Sequence, residues 1–184
     1  MTARTAAALA AFARLARHPA LRGTDPRLAG TFSLGLDVAG SDLDVVCRTA
    51  NPERFARRLA RAFGGRPGFR IRLRHLDGRP TVVARFREGG FPVEVFAQAR
   101  PPGRQRAVRH LRVEARLLRV HGEPLRTCVR RLRRSGLKTE PAFARCLGVA
   151  GDPYAALLEL ERRTNAELAR LSGKSGGERR PAAL

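Results

Sequence analysis

The sequence predicts an α+β fold, and three observations carry that expectation. A chain of 184 residues that is 43% hydrophobic can bury one respectable core. Three runs between residues 69 and 98 alternate apolar and polar side chains with the period of strands. Beyond about residue 105 the spacing becomes helical. Helix, strands with one inserted helix, then a helical half is an α+β order. The expected organisation is an α/β core over 1–100, a helical region packed on it over 101–171, and a disordered tail over 172–184.

The elements follow in chain order. Thr2 to His18 places Leu9, Phe12, Leu15 and Ala16 on one helical face. Pro19, Gly23 and Pro26 break that helix, and a short strand follows near Arg27–Gly30. After a turn-rich excursion comes "DLDVVCR", a second strand. Asn51 and Pro52 form an N-cap and first helical residue, opening a helix that runs to Phe63 and stops at "GGRPG". "FRIRLRHL", "TVVARFRE" and "FPVEVFAQ", separated by "DGRP" and "GG", read as three neighbouring antiparallel strands. Helices are then expected over 105–121, 124–135, 139–147 and 153–171, with Asp152 capping the last. The final "SGKSGGERRPAAL" is polar and aperiodic, hence the disordered tail. Its Lys174 evokes a phosphate loop, but Leu168 stands where that motif needs Gly, and a helix precedes it.

Charge is the loudest feature: 37 Lys and Arg against 16 Asp and Glu leave a net +21. Such a field attracts polyanions, so RNA or another polyanion is an expected partner. Only Lys138 and Lys174 are lysines, and the arginines crowd beside Ala, Gly and Pro throughout, which weakens charge as a functional signal. With one Tyr and no Trp, a stacking platform is not indicated. No run approaches the roughly 20 apolar residues of a membrane span, so no membrane partner and a cytoplasmic location are expected. Cys47, Cys128 and Cys146 lie far apart without paired spacing, so neither a disulfide framework nor a zinc knuckle is expected, and a reducing compartment fits.

The chemistry begins at Asp42 and Asp44. Two apart on a strand, they share one face while Leu43 and Val45 share the other. Adjacent carboxylates repel, and a divalent cation removes that cost. Mg2+, with Mn2+ as its substitute, takes oxygen ligands and keeps positions for substrate phosphates. Glu94 is a lone charge within the apolar "FPVEVF" strand, where burial is costly unless it is paired or metal-bound. Were that strand beside "DLDVV", all three acids would converge for an in-line phosphoryl displacement. Gly30 and Thr31 offer close backbone approach and a hydroxyl for phosphate oxygens, and Ser41 joins the nucleotide-holding set.

"GT", a spacer of about ten residues, "DLD" and an acid in a later apolar strand together resemble the signature of the polymerase-beta-like nucleotidyltransferase superfamily, with Thr31 where Ser is usual. The runs "LAGTFSLGLDVAGSDLDVVC", "GFPVEVFAQ", "RHLRVEARLL" and "GLKTEPAFARCLGVAGDPYAALLEL" resemble a bacterial family of small, uncharacterised nucleotidyltransferase-like proteins. The resemblance implies a mixed sheet with flanking helices followed by a helical region. It assigns nucleotide positioning to Gly30 and Thr31, metal ligation to Asp42 and Asp44, and the third-carboxylate role to Glu94.

The helical half adds candidates. His110 and Glu114 are four apart and face the same way, with Arg109 and Arg116 beside them. Arg109 is expected to neutralise phosphate and His110 to contact acceptor or base, while Glu114 reads as a surface ion pair with its Arg neighbours. Thr139 is expected to cap the helix of "KTEPAF", leaving Lys138 at an N-terminus suited to anions. The expected activity is Mg2+-dependent transfer of a nucleoside monophosphate from an NTP to a hydroxyl of RNA, a protein or a small molecule. The alternative is a non-catalytic nucleotide- or nucleic-acid-binding module, or one half of a protein pair.

Overall fold

Five strands, β1 (Arg27–Ala29), β2 (Leu43–Arg48), β3 (Arg70–Leu76), β4 (Arg79–Glu88) and β5 (Phe91–Gln98), form one mixed sheet in the order β1-β2-β5-β4-β3. The computed structural model describes residues 2–171, so the expected disordered tail and Lys174 lie outside the described residues. The chain divides into two compact units, 1–111 and 112–184.

In the first unit, helices α1 (Ala3–Arg17) and α2 (Pro52–Phe63) accompany the sheet. Asn51 caps α2 by accepting from the Arg54 N–H at 2.8 Å, an arrangement that contributes about 1 kcal/mol. Its buried stripe is Phe55, Leu59 and Phe63, one turn apart each. These join Leu43, Val45, Cys47, Val82, Ala84, Phe86, Val93 and Val95 in a single apolar cluster, so one face of the sheet is core. Phe63 stacks on Phe86 with ring centroids 4.5 Å apart, a contact adding about 1 kcal/mol beyond burial. The buried face of α1 is Thr5, Ala8, Ala11 and Leu15, so of the expected face Leu15 is fully buried. Leu9, Phe12 and Ala16 are only partly buried, because small side chains let that helix approach closely.

All three expected antiparallel strands form, with β3 paired to β4 and β4 to β5. Asp77 and Gly78, at φ 52° and 69°, make the two-residue turn that the right-handed twist of a hairpin favours. Strand β2 runs parallel to β5. "DLDVVCR" is shorter than expected: β2 begins at Leu43, and Asp42 precedes it, exposed.

Helix α3 (Arg106–Arg134) carries the chain from the first unit into the second and is interrupted at Gly122 (φ 64°, ψ −148°), two residues before Pro124. The two helices that the sequence predicts on either side of that point are thus joined by a kink. In the second unit follow α4 (Thr139–Leu147), α5 (Pro153–Glu159) and α6 (Asn165–Ala169). Asp152 caps α5 as expected. The single helix expected over 153–171 is instead broken, because Thr164 and Glu167 build a capping box that starts α6 afresh. Thr139 is the first helical residue of α4, and Lys138 takes the cap position without a side-chain bond.

The cysteine expectation is overturned. Cys128 on α3 and Cys146 on α4 form a disulfide, with Cα atoms 6.1 Å apart across 18 residues. A helix, a turn and a second helix bring together residues whose separation gives no local signal. Loop closure of this length contributes about 3 kcal/mol by chain entropy. Cys47 is free and buried, and burial pushes its thiol up to about 11. Among the described residues no helix is long and apolar enough to cross a membrane.

Candidate active site

The second face of the sheet carries the charged side chains. Strand register sets Ala29, Asp44, Glu94, Arg85 and Arg70 side by side, one from each strand. The next row across is Arg27, Val46, Phe96, Val83 and Arg72. The convergence that the sequence left conditional on strand order is therefore present for two of the three acids: Asp44 and Glu94 are direct neighbours on parallel strands.

Gly30 closes one side of Asp44. It ends β1 at φ 69°, ψ −166°, a conformation open essentially to glycine alone. A Cβ built there would lie 2.1 Å from Asp44 Oδ2. The carboxylate thus rests against bare backbone, and no other residue fits. Thr31 and Ser41 stand beyond it. Thr31 Oγ1 lies 3.4 Å from Ser41 Oγ as its donor, and Ser41 Oγ also accepts from the Val38 N–H at 2.9 Å. Both hydroxyls are buried, so they fix the loop from Gly35 to Ser41 that delivers Asp42. Because Asp42 lies just outside the pleat, the same-face argument made for a strand pair applies to Asp44 and not to it.

Glu94 has a partner that the sequence reading missed. Arg85, its neighbour on β4, grips one carboxylate oxygen through both Nε and an Nη nitrogen. The half-buried carboxylate is thereby neutralised within the sheet face. Only strand register reveals this pairing, since the two residues belong to different strands and no short motif links them.

Asp44 and Glu94 line a cavity of about 370 Å³ together with Phe96, Gln98, Asp77 and Arg106. Arg106 and Asp77 form an ion pair at 3.1 Å on its rim. Gln98 donates to Thr81 Oγ1 at 2.9 Å and to the Leu76 carbonyl at 3.1 Å, which ties β5 to the hairpin beside it. Buried Gln105 donates to the Cys47 and Arg100 carbonyls at 2.7 and 2.8 Å and anchors the start of α3 next to β2. Arg109 and His110 follow on the next turn of α3, Arg109 half-buried and His110 buried.

The second unit holds a different cluster. Glu114 is buried rather than a surface ion pair, and Arg116 turns away to the carbonyls of Glu161 and Arg163 at 3.1 and 2.7 Å. Burial pushes the Glu114 carboxyl up to about 8, the Glu140 charge adds to the rise, and Arg133 opposes it. Glu114 and Glu140 bring carboxylate oxygens within 4.8 Å of each other. Two carboxylates this close within the unit can share a metal ion. Lys138 is exposed at the cap of α4.

Comparison with known proteins bears on the fold. The model of the DUF4269 family, a domain of unknown function, matches residues 10–160. No curated protein matches the sequence. The structure is similar to that of Cid1, studied for its RNA terminal uridylyl transferase activity, at 12% identity and a TM-score of 0.56, covering 82% of this chain and 50% of that one. The MgGTP-bound Cid1 poly(U) polymerase gives a TM-score of 0.56 at 11% identity, over 85% of this chain and 49% of that one. A chain of the GLD-2/RNP-8 complex gives 0.52 at 13% identity, over 92% and 76%. This chain spans about half the length of the Cid1 chains it matches. At such identities the likeness is one of fold: a polymerase-beta-like core followed by helices.

Proposed function

We propose that this chain, which belongs to the DUF4269 family within the polymerase-beta-like nucleotidyltransferase superfamily, transfers a nucleoside monophosphate from an NTP to a hydroxyl acceptor and releases pyrophosphate. The observation that carries the reading is the in-register pair Asp44 and Glu94, backed by Gly30 and opening into the 370 Å³ cavity.

The donor set fits a hard divalent cation: the ligands are carboxylate oxygens, Asp44 lies in a cradle that a Cβ would fill, and Asp42 is exposed two residues before it. Asp42 and Asp44 would hold Mg2+ or Mn2+, with Glu94 as third carboxylate, and the bound cation supplies neutralisation of triphosphate charge. The chain's own groups do the rest. Gly30 lets backbone N–H groups approach the triphosphate, and Thr31 and Ser41 keep that backbone rigid. The acceptor hydroxyl oxygen bonds to the α-phosphorus as the bond to the bridging oxygen of the β-phosphate breaks. Pyrophosphate leaves with that electron pair, and the hydroxyl proton passes to a Glu94 oxygen. Arg85 orients Glu94 for that transfer. Arg109 and His110, at the start of α3 in the first unit, are assigned to nucleotide and acceptor contacts.

Calorimetric titration of each NTP with Mg2+ tests the reading, using wild type and a folded Asp42→Asn/Asp44→Asn variant. Metal-dependent binding that vanishes in the variant supports it. Absence of binding to well-folded wild type sinks it and promotes the binding-module alternative.

A further inference from the structure

Next to the Asp44 cavity, and sharing Glu94, Phe96 and Leu76 with it, lies a second groove of about 310 Å³ lined by Arg70, Arg72, Arg74 and Arg85. Arg70, Arg72 and Arg74 alternate along β3, so they project from the same face of the sheet as Asp44 and Glu94. Their Cα atoms repeat every ~6.6 Å along the strand. All three are exposed, and among the described residues none has a carboxylate partner. Acidic residues do pair with other arginines of the first unit, including Arg66 and Arg106. An edge strand blunted by charge needs no such one-sided row beside a reactive centre.

We propose that this arginine rail binds the phosphodiester backbone of a single-stranded nucleic acid, with the strand's terminal hydroxyl directed to Asp44 and Glu94. Three features select that occupant. The repeat along β3 is of the same order as the spacing of successive phosphates in an extended strand, so each guanidinium meets one phosphate. The rail stands three strands from Asp44, ~14 Å across the sheet, which is farther than the linked phosphates of one NTP moored at Asp44 can span. Phe96, half-buried and shared by both cavities, offers a ring face on which a base stacks. The overall excess of arginine does not by itself explain the rail: the exposed arginines of α2, on the sheet's other side, line neither of these two cavities.

The assignment of the terminal hydroxyl rests on the transferase reading; the binding does not. The test is fluorescence anisotropy of the full chain with a labelled oligoribonucleotide of about a dozen residues, in EDTA, over a range of salt. The variants are Arg70→Gln/Arg72→Gln/Arg74→Gln and, as control, Arg54→Gln/Arg57→Gln/Arg61→Gln on α2. The rail variant is expected to bind at least ~10-fold more weakly and to lose about two units of slope in log K against log salt, as three lost phosphate contacts require. The control is expected to change affinity by less than about threefold. Equal losses in both variants, or no binding by wild type, overturn the proposal. So does displacement of the oligonucleotide by polyglutamate at matched charge, which would assign the rail to an acidic protein. Mg2+-NTP titration of the rail variant separates the two readings. Lost oligonucleotide binding with intact NTP binding supports the rail, and oligonucleotide binding that persists in a wild type deaf to NTP leaves the rail standing while the transferase reading falls.

Discussion

Gly30 and Asp44 are fitted to each other: the carboxylate of one occupies the space where a side chain on the other would begin, 2.1 Å from the would-be Cβ. Gly30→Ala therefore meets two costs. The backbone conformation at φ 69°, ψ −166° is strained by about 1–3 kcal/mol for an L side chain, and the methyl collides with Oδ2. Asp44→Ala removes the collision but not the strain. The double variant is expected to be more stable than the sum of the singles by about 1 kcal/mol or more, read as urea midpoints in a double-mutant cycle. Strict additivity would show that the close approach has no energetic content.

Asp44 and Glu94 should separate in their consequences. Asp44→Asn keeps the shape of the side chain against Gly30 and loses the charge, so activity is expected to fall at least ~100-fold with thermal stability unchanged or raised. Glu94→Gln leaves Arg85 without its counter-ion. Because Arg85 is largely exposed, the stability loss should stay within about 1 kcal/mol. The activity loss is expected in kcat rather than KM, since a proton acceptor acts only in the chemical step. A rise in KM at unchanged kcat would remove Glu94 from that role.

Much of this was legible along the chain, and what was not has a physical reason. Asn51, Pro52 and the Phe55, Leu59, Phe63 stripe announce α2 because caps and helical periodicity are local signals. Asp44, Glu94 and Gly30 stood out as candidates, because carboxylates in apolar strands and a glycine before a hydroxyl are costly or unusual without a use, and the fold sets them side by side. Arg85 was not, since its pairing with Glu94 depends on strand register. Alternation at Arg70, Arg72 and Arg74 was visible in "RIRLRHL", but in a chain with net charge +21 it does not stand out until the sheet shows that they share a face with the acids. The end of the loop at Asp42 was misjudged by one residue, because the Val38 N–H bond to Ser41 holds the chain out of the pleat until Leu43. Small residues at the α1 interface mislead in the same way: periodicity weights size, while packing rewards closeness.

The cysteines give a direct chemical check. With Cys128 and Cys146 bonded and Cys47 buried at a pKa of about 11, the native protein should show almost no reactive thiol near neutral pH. Denaturation without reductant should expose one thiol, and denaturation after reduction three. Thiol titration with a chromogenic disulfide reads all three states. Three thiols in the unreduced, denatured protein would reject the Cys128–Cys146 bond.

Glu114 makes stability depend on pH in a known direction. Its carboxyl titrates near 4.5 in the unfolded chain and at about 8 in the fold, chiefly because burial penalises the charge. Below the unfolded value both states hold the proton, and the full stability is present. As pH rises from there, the unfolded chain releases its proton while the folded chain keeps it, so the free energy of unfolding falls until the folded carboxyl also ionises at about 8. The loss across that window is expected to reach a few kcal/mol, measured as urea midpoints between about pH 5 and pH 8.5 in EDTA. Glu114→Gln keeps the shape of the neutral acid and should flatten this dependence. Replacing EDTA with a divalent cation at the alkaline end should recover stability in wild type alone, because a cation between Glu114 and Glu140 does what the proton did at lower pH. Parallel pH profiles for wild type and Glu114→Gln would show that the buried carboxyl is ionised at neutral pH and that Arg133, not protonation, balances its charge.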